Sequence, residues 1–98
     1  MDLVELTYAM HRFVEAQGWY APDSPKPQSP RNLASSLVVE AAEVLELFQW
    51  SEKEPKAEAL ASELADVALY LLQLASLSEI DLEQAILDKL DTNYNRAW

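Results

Sequence analysis

The positions of its helix-breaking residues constrain the fold of this chain more than any other feature. Four of the five prolines fall between residues 22 and 30, the fifth is Pro55, and the single glycine is Gly18. Elsewhere the chain has no breaker, and its apolar side chains recur at the spacing of amphipathic helices. This distribution predicts an all-α fold in which short connections join consecutive, antiparallel helices.

Four helical segments follow from this pattern. They are predicted to cover about residues 2–17, 30–50, 56–77 and 81 onward. Gly18 is the expected stop of the first helix, and Asp81 is an acceptable N-cap for the fourth. A proline-rich connection over residues 19–30 is longer than most links between helices. We expect one domain over residues 1–98, a four-helix antiparallel bundle.

Charge and composition narrow the class of partner. A formal net charge of −10 excludes nucleic acid polymers as partners, because neutralising their phosphates requires clustered Lys and Arg. An acidic protein that handles phosphate groups needs a cation between them, and a divalent metal is the usual solution. The chain has no cysteine, which excludes disulfides, thiolate zinc sites and a cysteine nucleophile.

Membrane and export signals are not evident in the sequence. No apolar run approaches the roughly 18 residues of a membrane span. The N-terminus lacks the basic and apolar pattern of a signal peptide. We therefore expect a soluble, cytoplasmic protein with no membrane partner.

Glu40 and Glu43 lie three residues apart on the second predicted helix, so they project from adjacent turns and can hold one ion together. A helical projection at about 100° per residue places them at the edge of the side opposite the apolar face. That face is predicted to contain Leu33, Leu37, Val44, Leu45 and Phe48. Taken alone, the arrangement is also typical of an amphipathic helix with its glutamates in water.

The third predicted helix is apolar over well over half of its circumference. Such a helix is expected to be buried by its own bundle and by a second subunit. An acidic pair on the remaining narrow strip is costly to bury unless a cation matches it, which favours a metal site. The strip consists of Glu63, Asp66, Tyr70 and Gln73.

The fourth predicted helix carries basic and amide side chains on the face that begins with Leu82 and Ile86. Since those two residues are expected to point inward, Lys89 and Asn93 should do so too, although a lysine can also snorkel past the core edge. Ligands with oxygen donors alone select Mg²⁺, Mn²⁺ or Ca²⁺ over zinc. Carboxylates facing Lys, Asn and Arg side chains are what a polyphosphate bridged by metal requires.

The two acidic pairs form a recognisable pattern. Glu40-Ala-Ala-Glu43, followed after a linker by Glu63-Leu-Ala-Asp66, resembles the ExxE…ExxD signature of MazG-like nucleotide pyrophosphohydrolases. These belong to the all-α NTP pyrophosphatase group, which includes the dCTP pyrophosphatases. The resemblance covers almost the whole chain, from Phe13 to Arg96. Flanking segments that match are Pro30-Arg31-Asn32-Leu33, Leu47-Phe48-Gln49-Trp50 and Ile80-Asp81-Leu82.

The resemblance implies Mg²⁺-dependent hydrolysis of a (deoxy)nucleoside triphosphate to monophosphate and pyrophosphate, with Mn²⁺ as a possible substitute. It also implies a homo-oligomer, a dimer or a dimer of dimers, and a role in cleansing the nucleotide pool. His11 lies near a pocket histidine of the family but is interpreted as an ordinary side chain of the first helix. The metal ligands and catalytic residues that the resemblance implies are Glu40, Glu43, Glu63 and Asp66. The substrate contacts it implies are Trp19, Trp50, Tyr70, Lys89, Asn93 and Arg96.

A second hypothesis stays open from the residues alone. The widely apolar third helix and the solvated glutamates are also typical of a non-catalytic, acidic helical module for oligomerisation or partner binding. The two hypotheses differ in whether Mg²⁺ binds the folded protein, because only a bound metal raises the melting temperature by mass action.

Overall fold

A computed structural model describes all 98 residues and contains four α-helices and no strand. The all-α prediction is therefore confirmed. The second helix ends four residues earlier than predicted, because residues 47–50 form turns and Trp50 has a positive φ of 65°. The helices are α1 (Leu3–Ala16), α2 (Pro30–Glu46), α3 (Ala57–Leu77) and α4 (Leu82–Tyr94).

Side chains just outside three of the helices fix where those helices begin. The Asp2 carboxylate accepts a hydrogen bond from the Glu5 amide at 2.8 Å, which caps α1. Ser29 caps α2 in the same way, with Pro30 at the first helical position. Asp81 caps α4, as predicted. Gly18 takes a φ of 76° just beyond α1, a conformation that a residue without a Cβ adopts at little cost.

The core is formed by α1, α2 and α3. Only six residues are buried, and α4 contributes none of them. The radius of gyration is 15.9 Å, whereas a compact domain of this size has about 13 Å. Helix α3 packs against both α1 and α2, and α4 contacts α3 least. The buried residues are Met10, Val14, Leu33, Leu72, Gln73 and Ala75.

The inward face of α2 differs from the helical projection. Glu40 and Glu43 are half-buried and face α3, whereas Leu45 is 69% exposed. The projection was correct for the buried Leu33 and wrong for Leu45. A helical projection identifies the apolar side of a helix, but it does not show which side meets a neighbouring helix. Large apolar side chains of α2 that are mainly exposed are Val38, Val39 and Leu45.

The polar strip of α3 also faces the interior of the fold. Gln73 is buried, and Glu63, Asp66 and Tyr70 are half-buried. By contrast, Leu64 is 51% exposed, so part of the apolar surface of α3 points away from the core. A single copy of this chain therefore leaves much of its apolar helical surface in contact with water.

The expectation that no apolar segment approaches the length of a membrane span is wrong for α3, which by length and apolar composition alone could cross a membrane. It also carries Glu63 and Asp66 and packs against two other helices. The core helix of a soluble protein has these same properties, so this is weak evidence for a membrane span.

Candidate metal centre and nucleotide cavity

Three carboxylates from two helices converge between α2 and α3. Glu40 and Glu43 from α2 and Glu63 from α3 each offer one oxygen, and these oxygens lie within 4.8 Å of one another. The Oε2 atoms of Glu40 and Glu63 are buried without any hydrogen-bond partner. A buried carboxylate oxygen without a donor is costly, and a bound cation would supply the missing partner.

Asp66 lies beside this acidic trio rather than within it. It follows Glu63 by one turn of α3 and borders the same cavity as Glu40. Its negative charge contributes to raising the pKa of both Glu40 and Glu63. The structure thus brings three of the four predicted ligands together and places the fourth next to them.

The mutual repulsion of these groups is visible in their pKa values. Partial burial, followed by the close contact with Glu43 and its charge, raises the pKa of Glu40 to about 7. Partial burial and then Glu43 likewise raise the pKa of Glu63. Every charged group that acts on Glu40 is another carboxylate. A divalent cation would relieve this repulsion, and oxygen donors alone suit a hard cation such as Mg²⁺.

A cavity of about 400 Å³ opens beside the acidic trio. Glu40 and Asp66 border it, and the aromatic rings of Phe13, Trp19 and Tyr70 line its apolar part. The rings of Phe13 and Trp19 meet edge to face, with centroids 5.7 Å apart. The combination of an acidic edge and an aromatic, largely apolar wall suits a ligand with one charged end and one flat, weakly polar end.

Phe13 was not predicted as a site residue, because its position on the first helix marks it equally as a core residue. Lys26 was also missed. Its Nζ atom lies 5.0 Å from the centroid of the Trp19 ring, so this loop cation stands close to the cavity wall. A second cavity of about 380 Å³ includes Lys26 and shares Trp19 and Tyr70 with the first.

A chain of side-chain hydrogen bonds ties the proline-rich loop to α1 and α3. The Tyr20 hydroxyl oxygen lies 2.6 Å from His11 Nδ1, and His11 Nε2 lies 2.7 Å from Ser76 Oγ. Gln73 Nε2 donates to Tyr20 at 3.2 Å and to Gln28 Oε1 at 2.8 Å. His11 thus links α1, the loop and α3 through hydrogen bonds.

The remaining predicted substrate contacts lie away from the cavity within one chain. Trp50 is 94% exposed. Lys89 is exposed on α4, so the expectation that it points inward is wrong within one chain, because α4 contributes no buried residue to the core. Arg96 stacks on Trp98, with its guanidinium carbon 4.1 Å from the ring centroid. Asn93 is half-buried, and its Oδ1 atom is enclosed without a donor. None of these four lines the cavity, so their predicted contacts with substrate stay predictions.

Comparison with known proteins agrees with this arrangement of helices and acidic residues. The model of the MazG-like family matches residues 35–97, which contain the acidic trio and Asp66. The chain therefore belongs to the MazG-like family, and the resemblance seen in its motifs is confirmed.

Curated relatives are similar over part of their length. The chain is 46% identical to dCTP pyrophosphatase 1 of Mus musculus over 76 residues, which cover 68% of this chain and 45% of that protein. The chain is 43% identical to dCTP pyrophosphatase 1 of Homo sapiens over 76 residues, with the same coverage of 68% of this chain and 45% of that protein. The chain thus spans less than half the length of these relatives.

A solved structure shares the fold. A pyrophosphatase from Archaeoglobus fulgidus superimposes with a TM-score of 0.78 at 32% identity. The match covers 93% of this chain and 87% of that one. The fold of this chain therefore has a counterpart over nearly its whole length in a protein solved by crystallography.

Proposed function

We propose that this protein hydrolyses (deoxy)nucleoside triphosphates to the monophosphate and pyrophosphate, with Mg²⁺ as its cofactor. The observation that carries the proposal is that Glu40 belongs both to the acidic trio and to the wall of the aromatic cavity. A nucleoside seated in the cavity would place its phosphates at the carboxylates. The names of its relatives, dCTP pyrophosphatase 1 and pyrophosphatase, support the same reaction.

The acidic trio of Glu40, Glu43 and Glu63 would hold the metal, with Asp66 beside it. Bound there, Mg²⁺ would neutralise the triphosphate, polarise the α-phosphorus and lower the pKa of a water molecule. One of the glutamates would accept a hydrogen bond from the attacking water and orient it toward the α-phosphorus. The bond from water oxygen to α-phosphorus forms, the bridging bond to pyrophosphate breaks, and a carboxylate takes the proton.

The aromatic residues would hold the base. Trp19 and Tyr70 line the cavity, and Phe13 extends the same wall. Stacking on an aromatic face suits any base and contributes affinity without reading its edge. The apolar wall also excludes water from the ligand, which strengthens the electrostatic interactions at the acidic edge.

The protein would act as a homo-oligomer, a dimer or a dimer of dimers. Large apolar side chains on α2, α3 and α4 are exposed in one copy, Leu45, Leu64 and Leu87 among them. A second copy would cover them and bring its own Lys89 and Asn93 toward the acidic trio. We also propose a cytoplasmic location and a role in removing unwanted nucleoside triphosphates.

The decisive assay mixes the purified protein, Mg²⁺ and a panel of nucleoside and deoxynucleoside triphosphates, and measures pyrophosphate. We expect turnover of at least one triphosphate and its loss in Glu63→Gln. The non-catalytic module that the sequence also allows predicts no pyrophosphate from any of them. Full turnover in Glu63→Gln would equally overturn the proposal, because this substitution removes one of the three converging carboxylates.

A further inference from the structure

Gln73 is a polar residue in an otherwise apolar part of the core. It is 3% exposed, lies on α3 and lines the aromatic cavity. Both hydrogens of its amide nitrogen are used: one goes to Gln28 Oε1 at 2.8 Å and the other to the Tyr20 hydroxyl at 3.2 Å. The side chain is therefore held at its nitrogen by two residues of the proline-rich loop.

The orientation of the Gln73 amide is determined by its neighbours. Gln28 Nε2 donates to the Lys26 carbonyl oxygen at 2.6 Å, so Gln28 Oε1 must be an acceptor. A reversed Gln73 amide would set its oxygen against that acceptor and lose the shorter of the two hydrogen bonds. The loop thus fixes which end of the Gln73 amide faces the loop and which end stays free.

The free end is the carbonyl oxygen. No protein group donates to Gln73 Oε1, and it is not among the enclosed atoms that lack a partner. Gln73 borders the aromatic cavity but neither the cavity beside Lys26 nor the one beside His11. Its oxygen is an acceptor with a fixed orientation, and a donor on a molecule in this cavity would satisfy it.

The distance along α3 matches a nucleotide. Asp66, Tyr70 and Gln73 follow one another at steps of four and three, so they share a face of the helix. Seven residues of α-helix rise by about 10.5 Å. This is comparable to the distance from the α-phosphate of a nucleotide to the far edge of its base. A triphosphate held at Asp66 would therefore bring its base edge to Gln73.

We propose that Gln73 is a specificity-determining residue, whose carbonyl oxygen accepts a hydrogen bond from an exocyclic amino group of the substrate base. This inference rests on the proposed function and names the class of base that the same site prefers. An oxo group at the same place would face another acceptor and leave both without a donor. Sites that hydrogen-bond a substrate group discriminate strongly against analogues that lack it.

Deoxycytidine and deoxyuridine triphosphates test this, since their bases carry an amino and an oxo group at the same position. We expect the wild-type protein to favour the amino substrate in kcat/KM by at least about tenfold. Gln73→Leu should reduce this ratio to near one, chiefly through slower hydrolysis of the amino substrate. Gln28→Leu should reduce it less, because the Gln73 amide becomes free to turn. Gln84→Leu, the same change on the exposed face of α4, should leave the ratio unchanged.

Failure of the inference is distinguishable from failure of the proposed function. Two results would overturn the role of Gln73 and leave the hydrolase intact. One is that the wild-type protein has equal kcat/KM for the two triphosphates, and the other is that the ratio of the two kcat/KM values is unchanged in both Gln73→Leu and Gln28→Leu. If neither triphosphate is hydrolysed, calorimetric binding of the two monophosphates with Mg²⁺ tests Gln73 directly. Tighter binding of the amino-bearing monophosphate, lost in Gln73→Leu, would support the role, and equal affinities would overturn it.

Discussion

Carboxylate oxygens of Glu40 on α2 and Glu63 on α3 lie within 4.8 Å of each other. Each residue also has a buried oxygen without a hydrogen-bond partner. Two carboxylates at this separation repel each other, so the folded protein without metal stores an unfavourable interaction between its two central helices. This relationship makes the stability of the fold depend on protons and on divalent cations.

Stability of the metal-free protein should fall as the pH rises from about 4.5 to 7 and should level off at higher pH. The pKa of Glu40 is about 7 in the folded protein against a usual 4.5. Between these values the folded state keeps a proton that the unfolded chain has lost, so the folded state is favoured at the lower pH. Above the folded pKa this advantage is gone and the repulsion is complete. Thermal melts in EDTA across this range measure the effect.

Glu40→Gln provides the matched comparison for the pH series. Glutamine has a similar shape but does not ionise, so its melting temperature should be higher than that of the wild type at pH 8. The slope of melting temperature against pH between about 4.5 and 7 should also be shallower. The same slope in both proteins would show that other groups control the pH dependence.

Mg²⁺ should stabilise the folded protein strongly at neutral pH. A ligand that binds only the native state at 100 times its Kd contributes about 2.7 kcal/mol. For a domain of this length this corresponds to a rise in Tm of roughly 10–20 °C. Differential scanning fluorimetry with increasing Mg²⁺ measures the shift.

Substituting each of two glutamates of α3 distinguishes Mg²⁺ binding at a specific site from general screening of an acidic protein. Glu63→Gln should abolish most of the Mg²⁺-dependent rise in Tm and reduce kcat/KM by at least about 100-fold, the upper end of what losing an outer-shell partner costs. Glu58→Gln removes an equal charge from the exposed first turn of the same helix. An equal loss of the Mg²⁺ effect in both variants would indicate screening alone.

The helix boundaries were largely predictable because local signals determine them. Gly18, Pro30 and Asp81 stand at helix ends in the structure, where their backbone or capping preferences place them. The partly buried position of the polar strip on α3 was also predictable, since Glu63 and Asp66 interrupt an otherwise apolar helix. Local chemistry was sufficient for both conclusions.

The arrangement around the cavity depends on contacts between distant parts of the chain. Sequence spacing cannot show that Lys26 lies over the Trp19 ring, because a proline-rich loop has no periodicity from which to place a side chain. It also misplaced the outward-facing Leu45, since a helix with apolar residues on several sides does not reveal which side meets α3. Trp50 is 94% exposed in one chain, so its predicted contact with substrate would require a further copy of the chain, and the sequence of one chain offers no geometry for that.

Removing the Trp19 ring should weaken substrate binding. Trp19 lines both the aromatic cavity and the adjoining cavity that contains Lys26. Base stacking on an aromatic side chain contributes about 1–3 kcal/mol, so Trp19→Ala should lower kcat/KM by roughly 5- to 150-fold, mainly through KM. Tyr8→Ala removes an aromatic ring that is 65% exposed on α1 and should leave the kinetics unchanged. Equal effects of the two substitutions would place the base elsewhere.

Mixed oligomers test whether a second copy completes the site. Lys89 lies outside the cavity in one chain, and the enclosed Asn93 Oδ1 atom lacks a donor. If Lys89 of one copy serves the acidic trio of the other, Lys89→Ala and Glu63→Gln subunits are each inactive alone. In a mixed dimer, the acidic trio of the Lys89→Ala subunit and Lys89 of the Glu63→Gln subunit form one intact site.

When equal amounts of the two variants pair at random, about half of the dimers are mixed. Each mixed dimer has one intact site of its two, so the mixture should recover roughly a quarter of wild-type turnover. Mixing is done by unfolding and refolding the two variants together, and turnover is followed by pyrophosphate release. Glu40→Gln mixed with Glu63→Gln is the control, because both changes affect the acidic trio and no intact trio can form. Recovery no greater than the average of the separate variants would show that Lys89 of one copy does not serve the acidic trio of the other.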